Sequence, residues 1–173
     1  QLKVLKQMKE VKFSVCDTMN LWIDIKRAEV TEVFSKVTCV VLNDSEIRQF
    51  TKTPNLILAA REIRKLGPKY VIIKKGEHGA SIVGPEGMYF SIPSYPVENV
   101  IDPTGAGDSF AGAFIGYIAG QGKVDDAVLK RAMVYGNTVA SFTVEGFGTD
   151  RLAEAGMDKI DDRIKELRKI TDF

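Results

Sequence analysis

Asp102-Pro103-Thr104-Gly105-Ala106-Gly107-Asp108-Ser109-Phe110-Ala111-Gly112 is the stretch on which the reading of this chain turns. A short stretch at residues 97–101, read as a strand, leads into it. Residues 109–120 continue it as a helix crowded with the small side chains of Ala111, Gly112, Ala113 and Gly116. Glycines at a strand-to-helix junction let the backbone come close to a phosphate. The successive N–H groups of the first helical turn, aided by the helix dipole, bind anions. Asp108 stands at the same helix end, where the dipole favours negative charge. An anion cradle beside a carboxylate suits phosphoryl transfer to a hydroxyl. The amides hold charge developing on the phosphoryl group, and the carboxylate takes the alcohol proton. Taken alone, the four residues from Gly105 to Asp108 also fit a tight turn with an acidic N-cap. They are not a Walker loop, which needs G-x-x-x-x-G-K-[ST], nor the dinucleotide fingerprint G-x-G-x-x-G, which needs glycine at Phe110.

Outward from this loop the chain alternates strands and helices. Residues 11–16 (VKFSVC) read as a strand, followed by a polar turn at 17–20. Residues 27–36 read as a helix with Val30, Val33 and Phe34 on one face. Residues 37–42 (VTCVVL) are nearly all apolar, as in a parallel strand buried on both faces. Residues 55–66 place Leu56, Ile57, Ala60, Ile63 and Leu66 at helical spacing and end at Gly67-Pro68. A strand at 70–73 runs into the loop 74–79. Two short strands, 80–83 and 88–92, flank hairpin punctuation at 84–87. Residues 124–144 and 152–167 supply two further helices. This order predicts an α/β fold with a mainly parallel sheet. In such sheets ligands collect beyond the carboxyl ends of the strands. The polar loops 43–46, 74–79 and 102–108 are expected there.

Composition narrows the function classes. At 173 residues and 19.1 kDa the chain is expected to form a single domain, residues 1–173. Its 24 Lys+Arg against 23 Asp+Glu argue against a nucleic-acid partner. Cys16 and Cys39 are too few for a disulfide scaffold and read as buried small hydrophobes. A single histidine, His78, excludes a multi-histidine metal site, and no G-x-S-x-G elbow accompanies it. The apolar run 111–120 is far short of the about 20 residues a membrane span needs. No signal-peptide pattern opens the sequence. The expectation is a cytoplasmic protein with no membrane partner.

The segment from Asp102 to Gly112 closely resembles the C-terminal signature of the ribokinase-like (PfkB) family of carbohydrate and nucleoside kinases. Two more loops agree at plausible spacing. Asn43-Asp44-Ser45-Glu46 is similar to the family's N-x-x-E motif, and the loop from Lys74 to Gly79 to its nucleotide loop, T-x-G-x-x-G. The resemblance implies a ribokinase-like three-layer αβα fold and an ATP-dependent kinase acting on a hydroxyl of a sugar, with adenosine or another nucleoside as the alternative acceptor. It implies Asp108 as catalytic base and the N–H groups of Gly105, Ala106 and Gly107 as anion hole. Glu46, with Asn43, would organise Mg2+ and phosphates through water, consistent with the few carboxylates Mg2+ takes. Gly76 and Gly79 would shape the nucleotide loop, and Asn137 falls near the adenine pocket. Asp102 and Thr104 resemble the part of the signature that binds a monovalent cation such as K+, with carbonyls from residues 144–148; Asp102 also reads as a cap of the turn before Pro103.

Departures from the family pattern mark open points. Lys74 stands where many members carry Thr; it reads either as a phosphate contact or as a solvated strand end. Residues 17–22 faintly resemble the D-x-N-x-R-x-x-L-W stretch of some members, without its Arg, and Trp22 reads as a packing anchor. The motifs present all belong to the family's C-terminal part. The N-terminal strands, lid and G-G-x-x-x-N-type signature do not occur here, so a truncated or nicked product is expected, with self-association through an exposed sheet edge as a homo-oligomer. A catalytically incomplete nucleotide-binding fragment is the rival expectation.

Overall fold

The structure is a computed structural model and describes residues 1–172. Five strands, β1 (Val15–Asp17), β2 (Cys39–Asn43), β3 (Tyr70–Lys74), β4 (Ala80–Val83) and β5 (Tyr89–Ile92), form one sheet in chain order. The β1–β2 and β2–β3 pairings are parallel, with Asp17 opposite Val41 and Asn43 opposite Lys74. The helices are α1 (Leu2–Leu5), α2 (Asn20–Ile25), α3 (Arg27–Phe34), α4 (Asp44–Thr51), α5 (Leu56–Arg64), α6 (Ala106–Ala119), α7 (Asp126–Thr143), α8 (Asp150–Glu154) and α9 (Met157–Thr171). The α/β class and the mainly parallel sheet are as the sequence predicts.

The chain divides into two compact units, one of residues 1–75 with 81–90 and the other of residues 76–80 with 91 onward. In the first, the apolar runs of β2 and β3 are buried over their first four residues. Val40, Leu42, Val71 and Ile73 pack in one core with Phe34, Ile47, Phe50 and Ile63. Each such side chain contributes on the order of 1.5–3 kcal/mol by leaving water. Asn43 ends β2 and starts α4 in a capping box: its side chain accepts the Glu46 amide, and Glu46 accepts the Asn43 amide. Asn55 caps α5 by accepting the Leu58 amide, without the reciprocal bond.

In the second unit α6 packs along α7, with Tyr117 and Tyr135 stacked at 4.7 Å between ring centroids. Asp125 accepts the Val128 amide and fixes the start of α7. Val139 and Phe142 of α7 pack on Ile160 of α9. Arg163 lies over the Phe142 ring at 3.5 Å and pairs with Glu145 at 3.0 Å.

Several local expectations are corrected. Residues 97–101 form no strand. The amides of Ile101 and Asp102 both donate to the Val144 carbonyl at the end of α7, so the segment is held by a helix terminus rather than a ladder. The loop 102–108 therefore does not follow a strand directly. The first strand begins only at Val15: the amides of Ser14 and Thr38 donate to each other's side-chain hydroxyls, while the Cys39 amide donates to the Ser14 carbonyl. Asn20–Ile25 is helical, and Trp22 is 45% exposed; Ile23 is the side chain that anchors this helix. The last predicted helix is two helices interrupted at residues 155–156. Cys16 and Cys39 are free and buried as expected, and burial pushes the Cys16 thiol up to about 11.

Candidate active site

The first unit carries Asn43, Glu46 and Lys74. Glu46 is 5% exposed. Its Oε2 accepts the Asn43 amide at 2.7 Å, and among the described residues no hydrogen bond is made to Oε1. Burial raises the Glu46 pKa, more than the bond from the Asn43 amide lowers it. Lys74 ends β3. Its Nζ donates to Asp17 Oδ2 at 2.6 Å, with side-chain exposures of 18% and 25%. It is thus not a solvated strand end. Asp17, read from sequence as part of a turn, is the residue that reading missed; the only signal was an acidic residue closing a short apolar strand.

The raised pKa of Glu46 gives a pH prediction. The folded state holds this proton to higher pH than the unfolded chain, so stability falls as pH rises from the ordinary glutamate range through the raised folded value. The urea midpoint of the wild type is expected to drop across that window, and that of Glu46→Gln to lack this drop. Identical profiles would remove Glu46 as the titrating group.

The second unit carries the other candidates. Gly76 opens a single 3-10 turn with φ +55°, and the Gly79 amide donates to its carbonyl. Gly79 has φ +81°, and a Cβ there would lie 2.0 Å from the Ile92 carbonyl oxygen and 2.6 Å from the Pro93 carbonyl carbon. Asn137 is buried on α7, and its Nδ2 donates to the Pro93 carbonyl at 2.9 Å. Gly79 and Asn137 therefore meet on the same Ile92-Pro93 segment. His78 is exposed on the 3-10 turn.

Gly105 is the N-cap of α6 in the left-handed region, φ +81°, with no side-chain cap. The Ala106 amide turns back to the Pro103 carbonyl at 3.2 Å, while the amides of Gly105, Gly107 and Asp108 find no acceptor among the described residues. Those are the orphan donors of a helix start. Asp108 is exposed in that first turn. The turn is braced by Thr143 of α7, whose hydroxyl donates to Ser109 Oγ at 2.8 Å. Asp102 Oδ1 accepts the Thr104 amide at 2.9 Å, and this bond holds the Asp102 carboxyl below its usual range. The arrangement is a set of unsatisfied amides aimed out of a helix start with a carboxylate in the same turn. It can hold an anion and take a proton from a group presented to it. A cavity of about 650 Å³ in this unit, walled in part by Tyr95, Glu98, Glu145 and Arg163, includes none of the predicted catalytic or nucleotide-binding residues; Glu145 alone of the 144–148 segment lines it.

The sequence profile of pfkB family carbohydrate kinases matches residues 2–155. A cytidine kinase of Thermococcus kodakarensis is 34% identical over 126 residues, covering 70% of this chain and 45% of its own length. The crystal structure of aminoimidazole riboside kinase from Salmonella enterica, complexed with aminoimidazole riboside and an ATP analog, superposes with TM-score 0.79 at 24% identity. That match covers 94% of this chain and 56% of the other. A putative ribokinase II from E. coli, solved with ATP and Mg2+, superposes with TM-score 0.71 at 26% identity over 87% of this chain and 47% of its own. The chain thus spans about half the length of these relatives. Among the described residues, no helix is long and apolar enough to cross a membrane.

Proposed function

Because this chain belongs to the pfkB family of carbohydrate kinases, we propose that it is the nucleotide-binding and catalytic part of an ATP-dependent kinase. The acceptor is a hydroxyl on a ribosyl unit, either a free sugar or a nucleoside. The observation that carries the reading is the start of α6: amides of Gly105, Gly107 and Asp108 without acceptors, and the Asp108 carboxylate exposed in the same turn. The relatives named above are kinases of cytidine, of aminoimidazole riboside and of the ribokinase type, which supports a ribosyl acceptor.

In this reading Asp108 takes the proton of the attacking hydroxyl, and the Gly105 and Gly107 amides hold the charge that develops on the transferred phosphoryl group. The Ala106 amide joins them only if it leaves the Pro103 carbonyl. Gly76, Gly79 and Asn137 shape the nucleotide side, Asn137 through its bond to the Pro93 carbonyl. The residues present fit Mg2+: Glu46 Oε1 has no hydrogen-bond partner among the described residues, which suits an ion that retains most of its waters. Mg2+, when bound, neutralises phosphate charge. Asp102, with one carboxylate oxygen engaged by Thr104, fits a K+ site together with Thr104.

The test is ADP formation from Mg·ATP by the 173-residue chain, in K+ and in Na+, with ribose, deoxyribose, cytidine or adenosine as acceptor. ADP formation that requires one of these acceptors is expected. ADP formation that is absent, or independent of any acceptor, would favour a nucleotide-binding fragment without transfer.

A further inference from the structure

The carboxyl ends of three neighbouring parallel strands place Asp17, Asn43 and Lys74 together, and Lys74 reaches across to Asp17 at 2.6 Å. Lys74 is only 18% exposed in its side chain and Asp17 25%, so this is not a loose surface pair. The Glu46 carboxyl lies in the same field. Asp17 and Asp44 push its pKa up and Lys74 pulls it down. Asp44 is itself paired with Arg48 on α4. The end of the sheet thus brings Asp17, Glu46 and the Lys74 ammonium together at the place where parallel sheets gather ligands. An ammonium carries three donors. One of those on Lys74 is donated to Asp17, and among the described residues it donates no other.

We propose that Lys74 is the cation with which this chain reads the phosphates of a nucleotide, and that Asp17 is its resident counter-ion, which competes with those phosphates for the ammonium. The inference rests on the kinase reading above and deepens it. Asp17 is a positioning residue with a cost: it holds Lys74 in place, yet its own charge repels a polyanion. At separations of a few ångströms and the effective dielectric of a half-buried site, that repulsion is enough to change affinity severalfold. It outweighs the benefit of a pinned lysine rotamer. Removing the Asp17 charge therefore tightens polyphosphate binding, whereas a merely structural ion pair would weaken it from either side.

Asp17→Asn keeps Oδ1 as acceptor for the Thr18 amide, so the local turn survives. The experiment is calorimetric titration of the 173-residue chain with ATP and with adenosine, in excess Mg2+ at low salt. The expected result is that Asp17→Asn binds ATP about three- to tenfold more tightly and Lys74→Met about ten- to a hundredfold more weakly. Both should bind adenosine as the wild type does. The gain in Asp17→Asn should shrink as salt is added. If the wild type binds ATP and Asp17→Asn is equal or weaker, or if both ligands change in parallel, the counter-ion role is overturned and the kinase reading stands. If the wild type binds neither ATP nor adenosine, both fail together.

Discussion

Asp108→Asn is expected to lower the turnover number by about a hundred- to ten-thousandfold, the usual contribution of a positioned general base, while leaving the affinity for Mg·ATP within about twofold. The two effects separate because of where Asp108 sits. It is in the first turn of α6, exposed, with its own amide free, so its carboxylate is not needed to hold the fold. Asparagine keeps the size and the oxygen, and gives up at most about 1 kcal/mol of favourable interaction with the helix dipole. What it cannot do is accept the hydroxyl proton. The measurement is steady-state turnover with whichever acceptor supports it, paired with a nucleotide titration. Turnover retained in Asp108→Asn would take the base role away from this residue. Affinity and turnover lost together would mean the side chain builds the site rather than acting in it.

The second large effect concerns stability. Gly79→Ala is expected to destabilise the chain by about 2–5 kcal/mol. Part of this is the left-handed backbone at φ +81°, which costs a side-chain-bearing residue about 1–2 kcal/mol. The rest is overlap, since the new Cβ would meet the Ile92 carbonyl at 2.0 Å, a backbone atom that cannot swing aside. For a chain of this length each kcal/mol lowers the melting temperature by about 2–4 °C. Gly76→Ala is the comparison: its φ is also positive, at +55°, but nothing lies within 4 Å of the added atom. It should show the backbone cost alone. Equal losses in the two variants would mean that the close approach of Gly79 to Ile92 and Pro93 carries no energy of its own.

The parts of this molecule that local sequence determines were readable in advance. The run from Val37 to Leu42 is apolar at nearly every position because β2 is buried along its length, and Asn43 with Glu46 announces the helix that follows. The glycine at 105 marks a left-handed N-cap that few other residues take up. What escaped depends on partners distant in the chain. Residues 97–101 look like a strand, yet the amides of Ile101 and Asp102 are taken by Val144, some forty residues on. Lys74 looked free or phosphate-facing because Asp17 lies 57 residues away. Asn137 carries no local sign that its amide will hold Pro93, 44 residues earlier. Helix α2 follows the turn read at 17–20 and has no counterpart in the sequence reading, because its apolar residues are mostly exposed and burial periodicity has little to read.

The central claim is that the glycine loops of this chain hold a nucleotide. The most direct measurement is a titration of the isotopically labelled chain with Mg·ATP, followed through the backbone amide resonances. Saturable shifts are expected at Gly76, at Gly79, whose amide donates to the Gly76 carbonyl, and at Gly105 and Gly107, whose amides have no acceptor among the described residues. Saturable binding that leaves these four amides unmoved would contradict the claim.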